Sequence, residues 1–164
     1  MKKLYLFLLA ILCLTGTACE EKEINTEPIE CGRIDINENE YVVMQVVPEK
    51  IYVNTYHVLR IENHTQGVLQ YGTPYSLEYF NGKNWGKIQL NLVWTLVYLG
   101  LGASETTEDY KSENYEKNFY SLIDKYNKGK KGKYRIIKDF SVCHNWPLSS
   151  PDIYLKLCAE FEIK

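Results

Sequence analysis

From Tyr41 to the end of the chain, apolar side chains recur at alternate positions in short runs separated by turn residues. "YVVMQVVP" (Tyr41–Pro48) is β-branched and closes on a proline, and "TYHVLRIEN" (Thr55–Asn63) sets Leu59 and Ile61 against Arg60 and Glu62. "HTQG" turns the chain, and "PYSLEYF" (Pro74–Phe80) alternates again. Asn81–Gly82 follows, a pair that favours a hairpin because both residues accept positive φ, and the partner strand begins at Asn84–Trp85. The most apolar stretch after the N-terminal leader is "IQLNLVWTLVYLGLG" (Ile88–Gly102). As a strand it carries Leu90, Leu92, Trp94, Leu96 and Tyr98 on one face and Val93, Val97 and Leu99 on the other. Such a strand is buried on both sides or offers one face to a partner. Alternating runs at this spacing predict an all-β sandwich or barrel.

One segment changes period. Tyr115, Phe119, Leu122, Ile123 and Tyr126 follow helical spacing, which predicts a short amphipathic helix or helical turn around Ser121–Tyr126, preceded by a strand and stopped by Gly129. "GKKGKYRIIKDF" (Gly129–Phe140) comes next. A phosphate-binding loop places its glycines between a strand and a helix N-terminus, so that amides and dipole aim at the anion. Here the order is helix, glycines, strand. The stretch therefore reads as a structural corner, with Lys128, Lys130, Lys131 and Lys133 in a solvated loop. In the strand, Tyr134, Ile136 and Lys138 face one way and Arg135, Ile137 and Asp139 the other. The final run, "DIYLKLCAEFEIK" (Asp152–Lys164), puts Leu155, Leu157, Ala159, Phe161 and Ile163 on one side and Lys156, Cys158, Glu160 and Glu162 on the other.

The first residues, "MKKLYLFLLAILCLTGTAC", combine Lys2 and Lys3, an apolar run from Leu4 to Leu14, and small residues leading to Cys19. That is a secretory signal over residues 1–18, too short for a membrane span of about 20 residues. Its end resembles the lipobox of bacterial lipoproteins, although Gly16 stands where the usual pattern has leucine. The resemblance implies cleavage before Cys19 and a lipid on its thiol. The "CEEKE" that follows resembles an acidic export signal that places lipoproteins on the outer face of a Gram-negative outer membrane. Residues 19–40 are acidic and poor in aromatics, which predicts a flexible tether. Residues 41–164 then form one domain, long enough for a real core.

Charge and chemistry narrow the picture further. Lys and Arg (19) nearly balance Asp and Glu (21), so nothing global argues for a nucleic-acid partner. Tyrosine (14) outnumbers phenylalanine (5), which suits strands buried at one edge and wet at the other. Of the cysteines, Cys13 leaves with the signal and Cys19 takes the lipid, so Cys31, Cys143 and Cys158 remain for one disulfide or three thiols. Their spacing argues against a structural zinc site, and no cofactor is implied. His57, His64 and His144 are scattered. Cys143–His144 looks like a nucleophile beside its base, but neighbours on an extended chain point to opposite faces. Glu108, Asp109 and Asp124 sit in a charged, solvated region. Trp85, Trp94 and Trp146 are core residues or, if exposed, platforms for a glycan.

"RIEN", "YGTPYSLEYFNGKNW" and "KGKYRIIKDF" together resemble a bacterial immunoglobulin-like domain family common in small lipoproteins, over about Val42–Ile163. The resemblance implies an antiparallel β-sandwich with a tyrosine corner: Gly132 opens the penultimate strand, Tyr134 packs inward and bonds its hydroxyl back to the chain, and Ile136 points into the core. It implies no catalytic residues. The expected protein is a non-enzymatic module, structural or partner-binding, held to the membrane by its lipid anchor, with a glycan-binding module as the alternative. In this topology the last strand runs parallel to the first, so Cys31 before the first strand and Cys143 at the close of the penultimate one meet at one end. Cys158 lies about five residues away, beyond the ~7 Å Cα reach of a bridge to Cys143. The expected pair is Cys31–Cys143, with no bridge as the alternative.

Overall fold

The computed structural model describes residues 29–53, 55–93, 97–103, 111–116, 118–145, 147 and 150–164. Among these, eleven strands and one helix form a two-layered β-sandwich. One layer holds β1 (Glu30–Asp35), β2 (Tyr41–Val47), β4 (Val58–Asn63) and β9 (Lys111–Glu116), in that order. The other holds β7 (Trp85–Ile88), β6 (Ser76–Phe80), β10 (Gly132–Cys143) and β11 (Ile153–Ile163). β1 pairs with β2 and also, in parallel, with β11, so it joins the layers.

Long β10 is flanked on one edge by β11 along its whole length. Its other edge is shared between β5 (Val68–Gly72) and β6. These are one run of chain broken at Thr73–Tyr75. The break turns backbone carbonyls inward, and the buried Lys138 answers them: its Nζ donates to Gly72 O at 2.7 Å and Pro74 O at 3.0 Å. A buried ammonium needs such acceptors. The core between the layers comes from the alternation read in the sequence, with Val42, Met44 and Val46 facing Tyr134, Ile136, Leu157 and Phe161.

Strand direction fixes the two ends. Glu40, just before β2, contacts His144, which also holds Asp152 just before β11. The short β3 (Lys50–Ile51), just after β2, pairs with Glu162 and Ile163 at the end of β11. β2 and β11 therefore run the same way. β1 is parallel to β11 at Glu30 and Cys31 but antiparallel to β2 from Gly32 to Asp35. The chain must reverse between them, and Gly32, with φ +85°, is where it does. A side chain there would be strained by conformation alone.

Three sequence expectations change. The tether expected over residues 19–40 gives way at Glu30, because β1 finds partners in β2 and β11 that its composition alone did not reveal. The long apolar strand from Ile88 is not continuous: β7 ends at Ile88, Gln89–Val93 lie outside any strand, and β8 (Tyr98–Leu101) pairs with β5 over four residues. Val93 and Val97 are exposed. The helix α1 (Phe119–Asn127) starts earlier than predicted because Asn118 caps it, its Oδ1 accepting from Ser121 N at 2.9 Å. It ends on a left-handed Lys128 and on Gly129, whose N–H donates to Ile123 O.

Candidate functional site

The corner around Tyr134 closes one end of the sandwich. Gly132 (φ +131°) leaves little room for a side chain, since an added Cβ would lie 3.2 Å from the Tyr79 ring in a conformation that L residues rarely adopt. Tyr134 is fully buried, its hydroxyl donating to Lys130 O and accepting from Asn127 Nδ2. Burial pushes its phenol pKa up, which keeps the donor proton in place. Ile136 is fully buried beyond it. Phe161 stacks on Tyr134, Phe119 on Phe161, and His57 on Phe119, at centroid distances of 5.7, 5.1 and 5.4 Å. His57 also accepts from the first helical N–H, Phe119 N, at 2.9 Å through Nε2, while Nδ1 faces Thr55 O at 2.9 Å. A carbonyl on one nitrogen and an N–H on the other fix a neutral ring with its proton on Nδ1.

The disulfide joins Cys31 to Cys158, and not to Cys143 as expected. The reason is the reversal at Gly32. β1 rises alongside β11 before turning back, which sets Cys31 directly opposite Cys158. Cys143 stays buried, its thiol facing Ser150 O at 3.7 Å. Beside the bridge, where β1 leaves β11 and before β3 joins it, a cleft of about 420 Å³ opens between Gly32, Lys50, Lys133 and Glu160. Cys31, Cys158 and Glu160 are the cluster of metal-ligating residue types among the described residues. Both of its sulfurs are already spent in the bridge.

The opposite end is held by polar groups. His144 Nδ1 lies 2.7 Å from Asp152 Oδ2, and its Nε2 lies 3.2 Å from Glu40 Oε1. Both ring nitrogens of His144 thus face carboxylates, while the Cys143 thiol faces Ser150 O. Glu40 also accepts from Gln66 N at 2.7 Å and Asn37 Nδ2 at 2.6 Å. Asn63, which ends the "RIEN" run, donates from Nδ2 to Gly67 O, Leu101 O and Gly102 O. Its Oδ1 accepts from Thr65 N and Thr65 Oγ1. One buried amide thus ties β4, the turn after it and the end of β8. His64 stacks on Tyr41 and bonds Glu62, in a third setting again.

The surfaces differ in what they offer. Trp85 is half-buried on the outer face of the sheet, with Phe80 against it and the Arg135 guanidinium 4.6 Å over its ring. Arg135 is held there by Glu78 at 2.7 Å. The ring is therefore already stacked. Trp94, Trp146, Glu108, Asp109 and Cys19 lie outside the described residues, and Asp124 is exposed on α1. The sequence did not single out the loop after β3, where Tyr52, Val53 and Tyr56 are 53, 56 and 69 % exposed. No described helix is long and apolar enough to cross a membrane.

The chain matches no curated protein and no solved structure. A family model described as bacterial Ig-like domain matches residues 38–162, nearly the whole sandwich. The two antiparallel layers, the tyrosine corner and that match lead to one assignment: the chain belongs to the bacterial Ig-like domain family.

Proposed function

We propose that this protein is a lipid-anchored bacterial surface protein whose Ig-like domain is a non-catalytic, partner-binding or structural module. The observation that carries the reading is the polarity of the domain. The chain meets β11 at Leu157, coming from the direction of the His144 end. Tyr52, Val53 and Tyr56 follow β3, which pairs with the far end of β11. A domain held through its N-terminus would present that apolar loop outward, and exposed apolar clusters favour association. The Cys31–Cys158 bridge supports an oxidising compartment outside the cytoplasm. The leader and the small residues before Cys19 support lipidation there, and the acidic "CEEKE" supports the outer face of the outer membrane.

Cys19→Ala should abolish incorporation of labelled fatty acid into the protein, because the substitution removes the thiol that would carry the lipid. A wild type that takes up no labelled fatty acid would overturn the anchored reading. The second reading, a glycan-binding module, is favoured by the same two exposed tyrosines. A glycan array run with the wild type and with a Tyr52→Ser, Tyr56→Ser variant separates the two. Sugar binding lost in the variant supports the glycan reading, and its absence from both leaves the protein-partner reading.

A further inference from the structure

Carboxylates surround the His144 ring in a way that a neutral imidazole cannot satisfy. A neutral ring has one N–H to donate and one lone pair to accept, whereas ionised carboxylate oxygens only accept. Both ring nitrogens of His144 face such oxygens, Asp152 Oδ2 at 2.7 Å and Glu40 Oε1 at 3.2 Å. Either contact alone suits a neutral ring. Both together require the imidazolium.

We propose that His144 is a proton-operated latch: charged, it bolts the turn before β2 and the start of β11 to the end of β10, and on losing its proton it releases one of the two. Backbone already joins the start of β11 to the end of β10, with Ile153 opposite Val142 and Asp152 N donating to Val142 O, whereas the turn before β2 meets His144 through the Glu40 side chain. Glu40 is the shared post, since the turn after β4 also hangs on it through Gln66 N. Releasing Glu40 therefore loosens two turns at once.

The groups acting on the ring are few. Asp152 comes from the segment before β11, Glu40 from the turn before β2, and the Cys143 thiol precedes the ring on β10. The turn after β4 adds His64, which is engaged by Glu62 and Tyr41. The bond to Asp152 raises the His144 pKa above its ordinary 6.5; partial burial opposes this and the bond to Glu40 adds to it. The bond to His144 lowers Asp152 from its ordinary 3.8. For Glu40 burial pulls upward, but the bonds from Gln66, Asn37 and His144 outweigh it and leave it below its ordinary 4.5.

The signs give the working window. A raised histidine stabilises fully below its unfolded value and loses that contribution as pH rises through its folded value. Depressed carboxylates contribute above their unfolded values and lose the contribution on acidification. The latch is therefore closed between about pH 4.5 and 6.5 and opens toward alkaline pH.

The test compares urea midpoints of the wild type and His144→Gln from pH 5 to 9. The wild-type advantage should be largest near pH 6 and shrink steadily to pH 9, and a constant difference across that range would overturn the latch. Ring titration by NMR provides the second readout, using Asp152→Asn, which keeps the shape of this exposed side chain and removes its charge. The wild-type His144 midpoint should lie above 6.5 and fall in Asp152→Asn. A wild-type midpoint at or below the ordinary value, or no change in the variant, would equally refute it.

Discussion

The two ends of this sandwich are closed by opposite means, and a histidine sits in each. At the α1 end, His57 is a neutral spacer between a carbonyl and an N–H, stacked into a column of aromatic rings. At the other end, His144 spans two carboxylates and needs its charge. The α1 end owes most of its hold to buried apolar surface. The His144 end owes its hold to directed polar bonds, whose strength depends on protonation. The same side chain is thus a packing element in one place and an ionic link in the other, decided by whether its neighbours donate or accept.

The disulfide is the first way to break that contrast, because β1 leads from it only into the polar end. A Cys31→Ser, Cys158→Ser variant should lose up to ~5 kcal/mol on the chain-entropy model for a loop of over 100 residues. Hydrogen exchange should show protection lost first in β1 and the turn before β2, while β10 near Tyr134 keeps its own. A non-reducing digest checks the premise, since a peptide joining Cys31 to Cys143 would remove it. Phe119→Ala attacks the apolar end alone. It removes a fully buried ring from between His57 and Phe161 and should cost roughly 3–5 kcal/mol in urea unfolding.

At the polar end the matching change is Asn63→Ala. Three carbonyls lose their common donor and Thr65 loses its acceptor. Buried groups left unbonded cost about 1–3 kcal/mol each when water cannot reach them, and here some are at the edge of the core. A loss of about 2–3 kcal/mol is expected. Asn63→Asp should recover little of it, because a carboxylate keeps the acceptor but not the donor. Full recovery with aspartate would show that the three carbonyls matter less than the Thr65 turn.

What the sequence disclosed, and what it withheld, divides along the same line. The alternation of Tyr134, Ile136 and Lys138, and of Leu155 to Ile163, placed the core of β10 and β11, because one face of a packed strand must be apolar. It even set Lys138 inward, though the carbonyls that satisfy it come from the break at Gly72–Pro74, some 65 residues earlier by the contact spacing. The polar end was far less legible. Glu40, Asp152 and His144 are ordinary surface residues by pattern, and nothing local says that the turn before β2 and the distant β10–β11 connection converge. Cys31 failed for a related reason: the reversal at Gly32 is a single-residue event inside what reads as acidic tether, and it moves the cysteine from the end of the sandwich to its middle. The helix cap at Asn118 was visible in principle, as an asparagine just before an apolar-periodic run.

The smallest expected effect tests whether the apolar end contains a polar bond of its own. Tyr134→Phe keeps the ring in the column and removes only the hydroxyl, which donates to Lys130 O and accepts from Asn127. Lys130 is exposed and Asn127 half-buried, so water can replace the lost partner for both. The cost should then be about 1 kcal/mol, the net worth of an intramolecular hydrogen bond. A loss nearer 3 kcal/mol would mean that those groups stay dry, and that the corner between α1 and β10 is bolted as directionally as the His144 end. No loss at all would reduce Tyr134 to a phenylalanine in its packing, leaving the aromatic column to hold that end unaided. Urea midpoints at a pH well below the phenol's ordinary 10.0 decide among the three, since there the hydroxyl keeps its proton in the folded and unfolded states alike.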